Sequence, residues 1–299
     1  MSKPVIHLGC QVALLEISPA CDMVGAVRSE TTSVKFQRVD AEGRLAVKLT
    51  PRGSVIDRLY QSGAAKIRFP SSPDKSVCEA VLINTAGGLT GGDRLTWTVH
   101  AGEATALTCV SQACERIYRA RDAEPAHLSV KITADENARL NWMPQETILF
   151  DGCALERSLE ADLAATASLL IVEAFVFGRA AMGETVHRAT LKDQWTIRRE
   201  GRLVFADSVR LEGEVDKLLE RRAIAAGDRA MATVALIAPD AERHLDLVRG
   251  SFPAIASTAF AGKLLARITA KGAYELRQTL IPLAISLNGG TVLPKVWAV

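Results

Sequence analysis

Four glycines, Gly87, Gly88, Gly91 and Gly92, fall within six positions of the run from Asn84 to Arg94. That density implies backbone at positive φ or the close approach of another chain segment. Such a run could cradle phosphate, but a phosphate-binding loop needs a lysine and then Ser or Thr after its last glycine, and Asp93-Arg94 stand there instead. The dinucleotide fingerprint fails too, because Gly87 is followed by Gly88 and Leu89 and not by a second glycine at the required spacing. Asp93 would repel a phosphate beside it. The better reading is a tight strand-connecting turn in which Asp93 accepts hydrogen bonds from backbone amides.

Metal and nucleophile signals are weaker. His7, His100, His127, His187 and His244 include no pair four apart and no His-Glu-x-x-His. Cys109 and Cys114 are close in sequence, and His7, Cys10 and Cys21 could meet a metal, but a zinc site usually shows two close pairs and the second is missing. Six scattered cysteines do not make a disulfide scaffold, and ordinary reduced thiols are expected. No Gly-x-Ser-x-Gly elbow supports a hydrolase triad.

Three acids stand out in apolar surroundings. Glu146 and Asp151 flank an apolar strand in Trp142–Gly152; on an extended segment they face opposite sides and lie roughly 16 Å apart, too far to share a proton. Glu173 sits between Val172 and Ala174 in the most apolar stretch of the chain. A carboxylate buried there needs a partner, with Arg179 or another cation as the candidate. Two readings stay open for it: a structural ion pair, or part of a functional polar channel.

The elements that would position these residues are mostly strands. Period-2 alternation marks Leu45/Val47/Leu49, Leu95/Trp97/Val99, Leu128/Val130/Ile132, Ala138/Leu140/Trp142, Trp195/Ile197 and Leu203/Phe205, with Leu264/Ala266/Ile268 later. Short polar turns such as Asp135-Glu136-Asn137 and Glu200-Gly201 predict antiparallel pairing of the strands they join. Helical signals come late: Asp240 as an N-cap before Ala241, Leu245 and Val248, then a stripe of Ala273, Leu276, Leu280, Leu283 and Leu287 stopped by Gly289-Gly290. Pro282 inside that stripe is expected to kink or split the helix. The stripe reads as core packing first and as a partner-docking face second. Pro70–Asp74 has linker composition but is short enough for a loop.

The chain has 299 residues, 48% of them hydrophobic, enough for a substantial core. With 36 basic and 34 acidic residues the formal net charge is +2, which implies no pull toward nucleic acid or an acidic membrane. No run of about 20 apolar residues suggests a membrane span, and no secretory pattern is visible at the start. A cytoplasmic protein is expected.

The runs Asn84–Arg94, Gln112–Arg119 and Trp142–Gly152, with Glu173 through Gly178–Glu184, Arg198–Leu203 and Leu293–Trp297, resemble the urease accessory protein UreD (UreH) family. The resemblance covers roughly Gly53 to Trp297 and implies a mainly β, single-domain, β-helix-like scaffold of many short strands, with a few helices toward the C-terminus. It divides the chain into a variable lead-in, residues 1–40, and a UreD-like β-rich domain, residues 41–299. It further implies a non-enzymatic chaperone for nickel insertion that binds the urease apoprotein and UreF, reaches the GTPase UreG through UreF, and passes nickel transiently through a polar tunnel without a tightly bound cofactor. Asp93, Glu146, Asp151 and Glu173 are then candidates for nickel-path or partner contacts. A β-rich binding module without metal traffic and an acid/base enzyme are the alternatives.

Overall fold

The computed structural model describes residues 37–70, 74, 76–121, 124–179 and 182–298. His7, Cys10, Cys21, nearly all of the lead-in and residues 71–73 of the linker-like segment lie outside the described residues.

Seventeen strands are present among the described residues. In chain order they are β1 (Asp40–Thr50), β2 (Gly53–Ser62), β3 (Ala65–Arg68), β4 (Val77–Asn84), β5 (Arg94–Ala101), β6 (Ala106–Ser111), β7 (Glu115–Ile117), β8 (Ala126–Ala134) and β9 (Arg139–Trp142). They continue as β10 (Thr147–Leu149), β11 (Ala154–Leu163), β12 (Ser168–Phe177), β13 (Arg188–Arg199), β14 (Arg202–Glu214), β15 (Ala230–Ile237), β16 (Ala256–Phe260) and β17 (Lys263–Ala270). The helices are α1 (Val215–Leu219), α2 (Leu245–Ser251) and α3 (Ala273–Leu287). The protein is thus mainly β with a β-solenoid-like arrangement and helices mostly near the C-terminus.

From β4 to β13, apart from the short β7 and β10, successive strands alternate between two sheets. One runs β14-β13-β11-β8-β5-β1-β2; the other has the path β16-β17-β15-β12-β9-β6-β4-β3, with β7 and β10 attached beside β12. From β4 to β13 the long strands of each sheet pair in parallel, because each turn of the coil places one strand in each sheet and returns one position further on. Antiparallel pairs close the ends, as between β1 and β2 and between β13 and β14.

This corrects one sequence expectation. Asp135-Glu136-Asn137 does not join a hairpin: β8 and β9 lie in different sheets, and the turn is a corner of the coil. Its backbone groups find partners in the neighbouring corner, Asp135 N–H donating to the Ala101 carbonyl at 3.0 Å and the Glu136 carbonyl accepting from Ala104 N–H at 2.8 Å. Corner stacking replaces hairpin pairing there, and Asn137 takes the positive φ of 58° that asparagine tolerates. The Glu200-Gly201 turn does form the expected antiparallel hairpin, β13–β14.

Inward residues of both sheets make one apolar layer, in which Trp97, Val130, Leu159 and Trp195 stand in register across β5, β8, β11 and β13. The outer face of the second sheet makes another, covered by α3. Leu276, Leu280, Leu283 and Leu287 are all buried in that layer, as core packing requires. Pro282 does not split the helix. It lies on the exposed face, as does Gln278, so water can satisfy the carbonyl that loses its donor. Asp240 makes no side-chain cap; it precedes a 3₁₀ turn over Ala241–His244 and pairs with Arg243 at 2.8 Å. No helix among the described residues is long and apolar enough to cross a membrane.

Candidate functional site

Period-2 geometry sends Ile171, Glu173 and Phe175 of β12 into the space between the sheets, while Val172 and Ala174 face α3. The same rule turns Arg157 of β11 inward between Leu155 and Leu159, and Asp193 of β13 inward between Leu191 and Trp195. Arg157 and Asp193 are register partners. The guanidinium therefore reaches the carboxylate directly: Nε donates to Oδ1 at 2.8 Å and Nη2 to Oδ2 at 2.8 Å. From the facing sheet Glu173 closes the group, its Oε2 in ion-pair contact with Arg157 Nη1 and its Oε1 accepting from Trp142 Nε1 at 2.7 Å. The guanidinium also lies 4.2 Å from the centre of the Phe175 ring.

All three charged side chains are nearly inaccessible, at 3%, 2% and 6% exposure for Arg157, Glu173 and Asp193. Two carboxylates thus share one cation inside the sandwich. Burial raises the pKa of Glu173, with Arg157 pulling the other way. Burial also works against the Arg157 charge, but Asp193 and then Glu173 outweigh it and its pKa is raised. Arg179, the cation expected from sequence, is not the partner: it follows the end of β12 and pairs with Glu184 at 2.6 Å while covering the Phe150 ring.

Two pockets, each open to the surface at one side, meet at this group. A cavity of about 260 Å³ lies among the earlier coils, between Trp97, Leu128 and Val130 on one sheet and Leu82 and Trp142 on the other, and ends on Arg157 and Glu173. A second, of about 380 Å³, starts from Arg157, Glu173 and Asp193 and continues past Trp195, Thr233 and Arg267 among the later coils. Trp195 is buried and its indole N–H has no hydrogen-bond partner among the described residues. Such a donor is normally satisfied by water, which suits a polar cavity.

A second charged cluster borders the first cavity. Glu146 is 1% exposed, accepting from Arg277 Nε at 2.6 Å and Nη2 at 2.8 Å, so β-scaffold and α3 are tied by an ion pair. Gln145 Oε1 also accepts from Arg277, and the Cys114 thiol donates to Glu146 at 3.4 Å. Burial and then the Glu146 charge push Cys114 up to about 11, so it is no thiolate at neutral pH. Nearby Glu115 is pushed up to about 7 by burial, against the hydrogen bond from Asn84 at 3.0 Å.

The other two acids lie elsewhere. Asp93 is buried in the glycine-rich turn, where Oδ1 accepts from Val39 N–H and Oδ2 from Thr90 N–H, each at 2.8 Å. Close approach is visible at Gly88, where a Cβ would meet the Arg116 carbonyl oxygen at 2.7 Å. Asp151 accepts from the backbone of His187 and Arg188 and pairs with Arg119 at 2.8 Å. Burial raises its pKa, but these amides and Arg119 outweigh it and the net shift is downward. Of the four acids named from sequence, the structure puts Glu146 and Glu173 near the first cavity and gathers no two of them into one ion-pair group. Among the described residues no group of three or more His, Cys, Asp or Glu is placed to hold a metal.

Sequence reasoning missed Arg157, Asp193 and Arg277. For the first two the signal was present: in Leu155-x-Arg157-x-Leu159 and Leu191-x-Asp193-x-Trp195 a charge stands in phase with the apolar residues of a strand. Arg277 carries no such mark, since its partner lies 131 positions away.

The profile of the UreD family, described as urease accessory protein, matches residues 39–298. Relatives named urease accessory protein UreD align over most of their length. One from Rhizobium leguminosarum bv. viciae is 46% identical over 269 residues, covering 89% of this chain and 97% of the relative. One from Mesorhizobium japonicum is 47% identical over 246 residues, 81% and 87%. A third, from Brucella suis, is 43% identical over 278 residues, 91% and 99%.

Proposed function

This chain belongs to the UreD family of urease accessory proteins, and from that premise we propose that it is a non-enzymatic chaperone for nickel insertion into the urease apoprotein. In this reading it bridges urease to UreF, and through UreF to the GTPase UreG, and nickel is its cargo. The metal crosses the chain between the two sheets. The observation that carries the reading is the pair of cavities that share Arg157 and Glu173.

The chemistry suits a cargo that must leave again. Asp193 and Glu173 offer hard oxygen donors, but hydrogen bonds from Arg157 and Trp142 already occupy much of their capacity. A cation is attracted there by the unbalanced negative charge without meeting a full cage, and an ion held too firmly cannot be passed on. Glu146, balanced by Arg277 beside the first cavity, is a second station of the same kind. Asp93 and Asp151 are committed to backbone amides and act in folding, not in transfer.

The test is Glu173→Gln, co-produced with urease and its other accessory proteins. Urease purified with less nickel, from a complex that still assembles, is the expected result. Unchanged nickel would remove Glu173 from the path.

A further inference from the structure

The Arg157 guanidinium and the Glu173 carboxylate belong to the wall of both pockets, and Arg157 spans from its own sheet to the facing one. A cation passing from one pocket to the other would meet that side chain between them. Its position is that of a cation between two carboxylates: Asp193 beside it in register, Glu173 across the sandwich. Freed of the guanidinium, the two acids present three oxygens without a donor, Asp193 Oδ1 and Oδ2 and Glu173 Oε2, while Glu173 Oε1 still accepts from Trp142; carboxylate oxygen is the donor type that a divalent cation takes.

We propose that Arg157 is a gate whose guanidinium occupies, in the resting chain, the seat that a divalent cation takes between Glu173 and Asp193 in passing. The inference rests on the reading of the interior as a metal path. A dication neutralises both acids, whereas the guanidinium leaves one negative charge over; the displaced guanidinium takes its positive charge with it into the second pocket. The displaced side chain has somewhere to go, since the second cavity adjoins it and the Phe175 ring face lies against its guanidinium. When the cation moves on, the two unpaired acids draw Arg157 back. The seat is therefore cryptic, and the guanidinium that hides it also prevents the cation from being trapped.

The experiment is equilibrium dialysis of the full chain against Ni²⁺ alone, comparing wild type with Arg157→Met, which keeps the length of the side chain but not its charge. The variant is expected to retain one more Ni²⁺ per chain than wild type, a gain that Glu173→Gln or Asp193→Asn abolishes when added to it. Folded Arg157→Met that retains no more Ni²⁺ than wild type overturns the gate. Should that variant fail to fold, Arg157→Lys replaces it, since a single ammonium cannot reproduce the bidentate bridge. It is expected to show a smaller gain, and no gain in the folded lysine variant overturns the proposal as well. The two levels are separable: urease that fills with nickel in the absence of this chain defeats the path itself. Loading that still depends on the chain, with no Ni²⁺ gained by the variants, defeats the gate alone.

Discussion

Arg157 and Asp193 stand opposite each other on adjacent parallel strands, and two hydrogen bonds of 2.8 Å join them inside the sandwich. The relationship follows from register. β11 and β13 pair over Ala154–Leu163 and Thr190–Arg199, and shifting that pairing by one residue would send either charge to the other face of its sheet. The ion pair thus belongs to the same alignment that stacks Leu159 on Trp195. Glu173 adds the second carboxylate from the facing sheet, so the three charges depend on the packing of both sheets together.

Removing the cation from such a group leaves buried acids uncompensated. Arg157→Met is expected to lower stability by roughly 3–5 kcal/mol, read from denaturant unfolding at neutral pH. A loss below about 1 kcal/mol would mean that the group is far better solvated than its burial indicates.

Glu115 supplies a pH dependence. Its folded pKa, about 7, is raised by burial above the ordinary 4.5. The folded chain therefore keeps this proton to higher pH than the unfolded chain does. Stability is greatest below about 4.5 and falls as pH rises through about 7, by on the order of 3 kcal/mol from this group. In Glu115→Gln that decline should flatten, and stability at pH 8 should exceed that of wild type. An unchanged slope between pH 5 and 7 would contradict the assignment.

Asp93 is expected to matter for folding. Asp93→Ala strands the backbone N–H groups of Val39 and Thr90, at about 1–3 kcal/mol for each group left unsatisfied. Asp93→Asn keeps one acceptor oxygen and should lose less. Thermal unfolding of the three proteins gives the order; an alanine variant as stable as wild type would show that water replaces the carboxylate.

Leu280 decides between the two readings of the C-terminal stripe. It is fully buried on the inner face of α3, within the layer that contains Val172 and Leu236. Leu280→Ala should cost on the order of 2–5 kcal/mol. Unaltered stability, with loss of partner capture instead, would reassign the stripe to docking.

Much of this was legible in the residues, and the parts that were not have physical causes. Alternation located most of the long strands because each buries one face against the sandwich interior, as Leu128/Val130/Ile132 and Trp195/Ile197 do. It could not say which strands pair, since a polar corner such as Asp135–Asn137 looks the same whether it closes a hairpin or turns between sheets. The β-helix-like arrangement came from the family resemblance. Glu173 was found because its neighbours are apolar. The sequence points to Arg179 nearby as its partner, whereas the partner is Arg157 on the preceding strand, across the sandwich. The Glu146–Arg277 pair joins elements packed only in the finished fold, and nothing local announces it.

The most direct measurement is the nickel content of urease produced with its other accessory proteins, with and without this chain, under limiting nickel and with no second copy present. Nickel-poor, inactive urease that the chain restores to full loading is the expected result. Fully loaded urease in its absence would contradict a role in nickel insertion.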